Sequence, residues 1–254
     1  MKAIPVFLKS VYAFLLLALL ACAGSDAPPA PEPEPAEDDV TDVLLIGNSH
    51  TYYNSGIGFH LARFLQEDRP ASDFNIAVQA IGGYSLSDHL QETSTQDLIA
   101  SRKWDMVVLQ ENTSVAAMVP DELYHSVWGM INAINDDQTE ILLYMTWAYA
   151  DQPAMFNALQ AAYNKAGDDT GARIIPVGEA YEQLLAANPL EIELYHTDGV
   201  HASLEGTFMA SAMFLEVLFG LNPVTFEYDA GLDAATADFL KQAAHAAVTG
   251  SSAP

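Results

Sequence analysis

The chain has 254 residues, half of them hydrophobic, so it can bury a core in one domain or a tight pair of domains, and wholesale disorder is excluded. Asp and Glu number 34 against 9 Lys and Arg, and the formal net charge of −25 argues against a nucleic-acid partner and against electrostatic docking on anionic lipid. The single cysteine excludes an intramolecular disulfide and a cysteine-rich metal site.

Residues 1–21 have the features of a signal peptide of the lipoprotein type. Lys2 and Lys9 precede an apolar run over residues 11–21, which has the length of a signal-peptide core and is short for a membrane span. The run ends in LLAC, which resembles the lipobox of bacterial lipoproteins, so we expect lipidation of Cys22 and anchoring at the outer membrane or in the periplasm. The alternative is ordinary secretion after cleavage nearby, and a retained membrane helix is disfavoured.

Residues 22–41 are rich in Pro, Glu and Ala, a composition that buries no apolar surface and predicts an extended, disordered linker. No second linker follows, so residues 42–248 are predicted to form one domain and residues 249–254 a flexible tail. With a lipid at Cys22, the linker would hold this domain away from the membrane.

The domain alternates predicted strands with predicted helices. Short apolar runs predict strands at residues 43–47, 74–81, 105–110, 140–147 and 172–177. Apolar residues at helical spacing predict helices at residues 58–67, 122–134, 152–166, 204–219 and 234–248. This alternation is typical of a parallel sheet covered on both faces, so we predict a three-layer α/β/α doubly wound fold with about five strands. Chemistry is expected at the carboxyl ends of those strands.

The first strand ends in Gly47-Asn48-Ser49, which places a serine on a sharp turn before a helix. An exposed hydroxyl near the positive end of a helix suits a nucleophile. The alternative role for this serine is a helix N-cap, which is common.

Two further strand ends carry groups that could face a ligand. Gly82 and Gly83 follow the second strand and can present free backbone N–H groups, although, taken alone, a plain turn explains them better. Asn112 follows the third strand and could offer its side-chain amide to an oxyanion, although asparagine after a strand is often a turn former.

Asp198 and His201 directly precede the helix predicted from residue 204. In a tight turn, this spacing lets the carboxylate reach Nδ1 of the histidine, fix its tautomer and leave Nε2 to take a proton from a serine. Because Asp-x-x-His is frequent by chance, the pair indicates a catalytic site only together with the motifs around Ser49, Gly83 and Asn112.

These motifs together resemble the blocks of the SGNH (GDSL-like) hydrolase superfamily, in the same order. More narrowly, GNSHTYYN, GGYSLSDHL, VVLQEN and DGVHAS are similar to those of an exported bacterial subgroup. The usual Gly-Asp-Ser is Gly47-Asn48-Ser49 here, and the usual Gly-x-Asn-Asp is Gln110-Glu111-Asn112-Thr113. The third block therefore depends mostly on Asn112.

The resemblance implies a flavodoxin-like fold and a serine acyl-transfer site that needs no cofactor and no metal. Ser49, His201 and Asp198 would be the catalytic residues. The N–H groups of Ser49 and Gly83 and the side chain of Asn112 would form the oxyanion hole.

The implied substrate is a small-molecule or polysaccharide ester, foremost an O-acetyl or short-chain acyl ester on an extracellular carbohydrate. This expectation rests on the substrates common in the family and on the predicted export, and no residue in the sequence specifies it. Lysophospholipase or thioesterase-like activity, an acyltransferase, and a non-catalytic binding lipoprotein on the same fold are the alternatives.

Four residues near the strand ends are weaker candidates for substrate binding, namely His50, Tyr84, Glu111 and Trp147. Core packing explains the aromatic ones equally well, Glu111 could be exposed or contact substrate, and His50 is expected to point elsewhere on its turn.

The other histidines are expected to have no part in the chemistry. His196 and His201 could suggest a metal pair, but they are five residues apart across a glycine-containing turn and no third ligand is evident. Surface or packing roles are expected for His60, His89, His125 and His245.

Overall fold

A computed structural model describes residues 40–251. The predicted signal peptide, Cys22, the linker up to residue 39 and the last three residues of the tail lie outside the described residues. The predictions made for them therefore stay predictions. Among residues 40–251, no helix combines the length and the apolar character that crossing a membrane requires.

The described residues form one sheet of parallel strands. The strands are β1 (Thr41–Gly47), β2 (Phe74–Ala80), β3 (Met106–Leu109), β4 (Glu140–Tyr144) and β5 (Arg173–Ile175). Their order is β2-β1-β3-β4-β5. This is the flavodoxin-like order, which confirms the predicted doubly wound fold. Since the order reverses between β1 and β3, the ends of these two strands flank the crevice in which such sheets bind ligands.

Helices connect the strands. They are α1 (Ser49–Tyr52), α2 (Ile57–Asp68), α3 (Leu86–Gln91), α4 (Thr93–Ala100), α5 (Thr113–Met118), α6 (Pro120–Ile134), α7 (Met155–Thr170), α8 (Val177–Ala186), α9 (Leu204–Phe219) and α10 (Ala234–Thr249). Short 3₁₀ turns occupy Ala71–Asp73 and Pro223–Thr225.

The sheet separates two hydrophobic cores. Because successive strand residues point to opposite faces, Val43 and Leu45 pack with α2, α8, α9 and α10, whereas Leu44 and Ile46 pack with α3 to α7. α9 is buried along almost its whole length. Two helical layers thus cover the sheet on both faces.

The structure differs from the predicted elements in two respects. The fourth strand ends at Tyr144 rather than at residue 147, because its neighbour β5 stops at Ile175 and the chain turns into α8. The helices α3 and α4, and also α1, α5 and α8, had no predicted counterpart. The first two are short and rich in polar residues, so their sequences lack a clear apolar periodicity.

Candidate active site

Ser49, His201 and Asp198 form a continuous chain of hydrogen bonds. The Ser49 hydroxyl lies 2.8 Å from Nε2 of His201, and Nδ1 of His201 lies 2.7 Å from Oδ2 of Asp198. An ionised carboxylate only accepts, so the proton is assigned to Nδ1, and Nε2 is left to accept from the serine hydroxyl. The structure thus brings together the three residues predicted to be catalytic, and their role stays a prediction.

Asp198 is held by its own turn. Its Oδ1 accepts hydrogen bonds of 2.9 Å from the backbone N–H groups of Val200 and His201, and Gly199 closes the turn with a φ of 68°. Desolvation raises the pKa of Asp198, but the hydrogen bonds from the His201 ring and from the two N–H groups outweigh it and hold the pKa well below its usual range. Asp198 is therefore ionised at neutral pH.

The loop that carries this pair docks on the segment after β4. Nε1 of Trp147 donates to the carbonyl of Val200 at 3.0 Å, and the N–H of Ala150 donates to the carbonyl of Gly199 at 2.9 Å. Trp147 in turn stacks on Tyr181 with 4.3 Å between ring centroids. These contacts fix the backbone directly beside His201.

Two rings flank the His201 imidazole. Tyr53 stacks on it with 4.3 Å between centroids and 11° between planes, and the His50 ring lies 5.6 Å away. The expectation that His50 points elsewhere is therefore wrong, although its ring is buried under the site. Burial, and then the nearby His201, lower the pKa of His50 to about 4, so His50 adds no positive charge beside His201 at neutral pH.

Asn48, not Ser49, caps the short helix after β1. Oδ1 of Asn48 accepts from the N–H of His50 at 3.2 Å, so the Ser49 hydroxyl is not needed as a cap. The N–H of Ser49 meets no acceptor among residues 40–251. Nδ2 of Asn48 donates to the carbonyl of Tyr84 at 2.9 Å, which ties the turn after β1 to the turn after β2.

Gly83 and Asn112 stand side by side. Nδ2 of Asn112 donates to the carbonyl of Gly83 at 3.1 Å, and its Oδ1 accepts from the N–H of Ser114 at 3.0 Å, which also makes Asn112 the N-cap of α5. Because Nδ2 carries two hydrogens, one stays available. The exposed Gly83 takes a φ of 78°, and its N–H has no acceptor within the part of the chain that the structure describes.

Gln110 is a supporting residue that stands out in the sequence only as a departure from the family pattern. Its buried Oε1 accepts from the N–H of Asn48 at 2.7 Å and from the hydroxyl of Thr51 at 3.0 Å. Gly47 leaves room for it, because a Cβ there would lie 2.5 Å from the Gln110 oxygen. The sequence signal that could have identified Gln110 is a polar residue directly after a strand of buried apolar residues.

Asn54 is another supporting residue that sequence reasoning missed. Its Nδ2 donates to the carbonyl of Ala202 and to Oγ1 of Thr207, both at 2.9 Å, although its backbone takes the unfavourable φ of 53°. Nε2 of His60 donates to the Asn54 carbonyl at 2.9 Å. The turn after α1 is thereby fastened to the residue that follows His201.

The structure corrects three of the four predicted substrate contacts. Glu111 is fully buried and Trp147 is almost so, and Oε1 of Glu111 and Nε1 of Trp147 bond the backbone, so neither residue faces a substrate. His50, as described above, is buried as well. Tyr84 is half-buried, with its ring against His89 and its hydroxyl 3.4 Å from Oε2 of Glu92.

The remaining histidines make structural contacts. His196 is exposed, with Nδ1 3.4 Å from Oδ2 of Asp198. Among residues 40–251, no group of three or more His, Cys, Asp or Glu side chains is arranged to hold a metal ion. His89 bridges the carbonyl of Gly47 and Thr95, His60 contacts Tyr228, His125 bonds the carbonyl of Asp121, and His245 pairs with Glu216.

Solved structures with the same fold include candidate and named hydrolases. A DUF4886 family protein from Bacteroides uniformis is 22% identical, with a TM-score of 0.68 over 83% of this chain and 95% of that chain. A candidate SGNH hydrolase from Slackia heliotrinireducens is 28% identical, with a TM-score of 0.61 over 70% of this chain and 99% of that chain.

A variant of an acetyl xylan esterase from Geobacillus stearothermophilus is 18% identical, with a TM-score of 0.56 over 71% of this chain and 97% of that chain. No family model and no curated protein matches the chain. The chain has the fold of the SGNH hydrolase superfamily, as the sequence motifs predicted.

Proposed function

We propose that the chain is a serine esterase in which Ser49 is the nucleophile, His201 the general base and Asp198 the residue that orients it. The single observation that carries this proposal is the unbroken hydrogen-bond chain from Asp198 through His201 to the Ser49 hydroxyl, at 2.7 and 2.8 Å. A binding protein has no need of an aligned nucleophile, base and carboxylate together.

The reaction follows from the proton positions. Nε2 of His201 takes the proton of Ser49 as Oγ attacks the ester carbonyl, and the ionised Asp198 stabilises the imidazolium that forms. The imidazolium then protonates the leaving alcohol, which leaves an acyl group on Ser49. Water, deprotonated by the same imidazole, attacks this acyl group. As the bond to the acyl carbon breaks, the imidazolium returns its proton to Oγ, which releases the acid and regenerates Ser49 and the neutral His201.

Three donors make up the oxyanion hole in this proposal. They are the N–H groups of Ser49 and Gly83 and the free hydrogen on Nδ2 of Asn112. A donor of this kind lowers the barrier by roughly 3 kcal/mol, because it is fixed before the oxyanion forms. The hydrogen bond from Nδ2 of Asn112 to the Gly83 carbonyl keeps the Asn112 amide at a fixed distance from the turn that carries the Gly83 N–H.

An O-acetyl or short-chain acyl ester on an extracellular carbohydrate is the substrate we propose. Acetyl xylan esterases are among the proteins that share the fold. The predicted export, with an anchor at Cys22 or as a secreted protein, would bring the enzyme to such polymers. The net charge of −25 disfavours polyanionic substrates.

The test is ester hydrolysis by the full-length protein in mild detergent. We expect turnover of p-nitrophenyl acetate above butyrate and decanoate, release of acetate from acetylated xylan, and loss of both activities in Ser49→Ala. Ser211→Ala removes a buried hydroxyl from α9 and serves as the matched control with unchanged activity. Preference for decanoate would point to lipid cleavage instead, and inactivity of the folded wild type on every ester would contradict the proposal.

A further inference from the structure

Glu111 is a buried carboxylic acid that the proposed reaction does not use. It follows β3 and has no solvent exposure. Its Oε1 accepts two backbone hydrogen bonds, from the N–H of Asn112 at 2.6 Å and from the N–H of Leu86 at 3.1 Å. Burying a carboxylate lowers stability unless its partners compensate, and among residues 40–251 the side chain has only these two.

Both N–H groups belong to the turns that carry oxyanion donors. Asn112 bears the side-chain amide, and Leu86 begins α3 three residues after Gly83. The Asn112 amide also reaches back to the Gly83 carbonyl at 3.1 Å. Glu111 and Asn112 therefore close a ring of hydrogen bonds around the two turns.

We propose that Glu111 is a positioning residue whose ionised side chain sets the separation between the Gly83 N–H and the Asn112 amide by holding the backbone of both turns. The inference rests on the proposed esterase function and deepens it, since it assigns a role in stabilising the oxyanion at that same site.

The surroundings of Glu111 make its charge sensitive to pH. The titratable groups that face it within the described residues are Asp88 on α3, Glu122 on α6 and Tyr163 on α7, and none of them is a cation. Burial raises the pKa of Glu111 to about 7, although the N–H groups of Asn112 and Leu86 oppose the rise. The side chain is therefore ionised above neutral pH and neutral in mild acid.

Ionisation strengthens the two bonds. Hydrogen bonds to a charged acceptor are shorter and about twice as strong as those to a neutral one. A misplacement of about 1 Å at a catalytic site can cost roughly a hundredfold in rate, so partial loosening of these turns should cost about tenfold.

The test compares Glu111→Gln with the wild type from pH 5.5 to 9. We expect kcat about tenfold lower at pH 8.5 with KM nearly unchanged, and a ratio of the two kcat values that approaches one below pH 6. The reason is that a protonated Glu111 and a glutamine are both neutral acceptors. A ratio that stays constant with pH, or a change in KM alone, would overturn the proposal.

Glu216→Gln is the matched control. Glu216 lies in α9, pairs with His245 and also has its pKa raised by burial. Its replacement should leave kcat unchanged at every pH. A pH-dependent loss of the same size in this variant would overturn the assignment to Glu111.

A second variant covers the case in which Glu111→Gln does not fold. Glu111→Asp keeps the charge but withdraws the carboxylate by one methylene, so kcat should again fall with KM unchanged, and a wild-type kcat would overturn the proposal. A wild type that neither turns over esters nor is labelled at Ser49 by a phosphonate refutes the proposed function itself. An active wild type with a pH-independent ratio refutes only the role of Glu111.

Discussion

The candidate site has an exposed half and a buried half. Asp198 and His201 lie on a loop, partly open to solvent, and are held by backbone hydrogen bonds and by the ring of Tyr53. Gln110 and Glu111 lie fully buried at the end of β3 and bond the backbone of the turns that carry the donors. The groups that react must reach substrate, whereas the groups that fix the donors can be buried, where polar interactions are stronger.

Breaking the exposed half should have the largest effect. Asp198→Asn can place an amide donor against His201 and favour the wrong tautomer, so kcat/KM for p-nitrophenyl acetate should fall about 10⁴-fold. Asp233→Asn is the matched control, because Asp233 is an exposed helix cap with a lowered pKa outside the candidate site. A loss of less than tenfold in Asp198→Asn would show that the carboxylate does not orient the base.

Removing one donor should have the next largest effect. Asn112→Ala leaves the triad in place, so kcat should fall about a hundredfold with little change in KM, since the amide acts mainly in the transition state. Asn222→Ala also removes an asparagine cap, outside the candidate site, and controls for the lost cap. Equal losses in both variants would contradict a role for Asn112 in the oxyanion hole.

The buried half should show its cost in stability. Since the folded pKa of Glu111 is raised from 4.5 to about 7, its contribution to stability is present below pH 4.5 and is lost as pH rises through 7. The loss amounts to about 3 kcal/mol by linkage. Glu111→Gln should therefore melt several degrees above the wild type at pH 8 but close to it at pH 4.5, as thermal unfolding can measure. The same difference in Tm at both pH values would contradict the buried charge.

The smallest effect is expected at the edge of the exposed half. Nδ1 of His196 lies 3.4 Å from Asp198, against 2.7 Å for His201, so the two imidazoles are not equivalent partners. His196→Ala should lower kcat/KM by less than about threefold, as expected for a weak exposed pair. The exposed His125 gives the control variant His125→Ala. A loss of kcat/KM above a hundredfold in His196→Ala would show that His196 takes part in catalysis and would contradict this prediction.

The sequence predicts the fold and the exposed half better than the buried half. Strands and long helices follow from local apolar patterns. The contact between Asp198 and His201 follows from their spacing of three residues, because a tight turn brings side chains at that spacing within hydrogen-bond reach. The contacts of Gln110 and Glu111 depend on turns some 25 to 62 residues away, which no local pattern encodes. For the same reason the sequence left open whether Glu111 is exposed or contacts substrate, whereas the fold buries it under the turns.

The most direct test of Ser49 as the nucleophile is covalent labelling of the full-length protein by a serine-reactive phosphonate, followed by peptide mass analysis. We expect one adduct per chain, located on Ser49, absent in Ser49→Ala and formed far more slowly in Asp198→Asn. A folded wild type that forms no adduct, or forms it on another serine, would contradict the claim that Ser49 is an activated nucleophile.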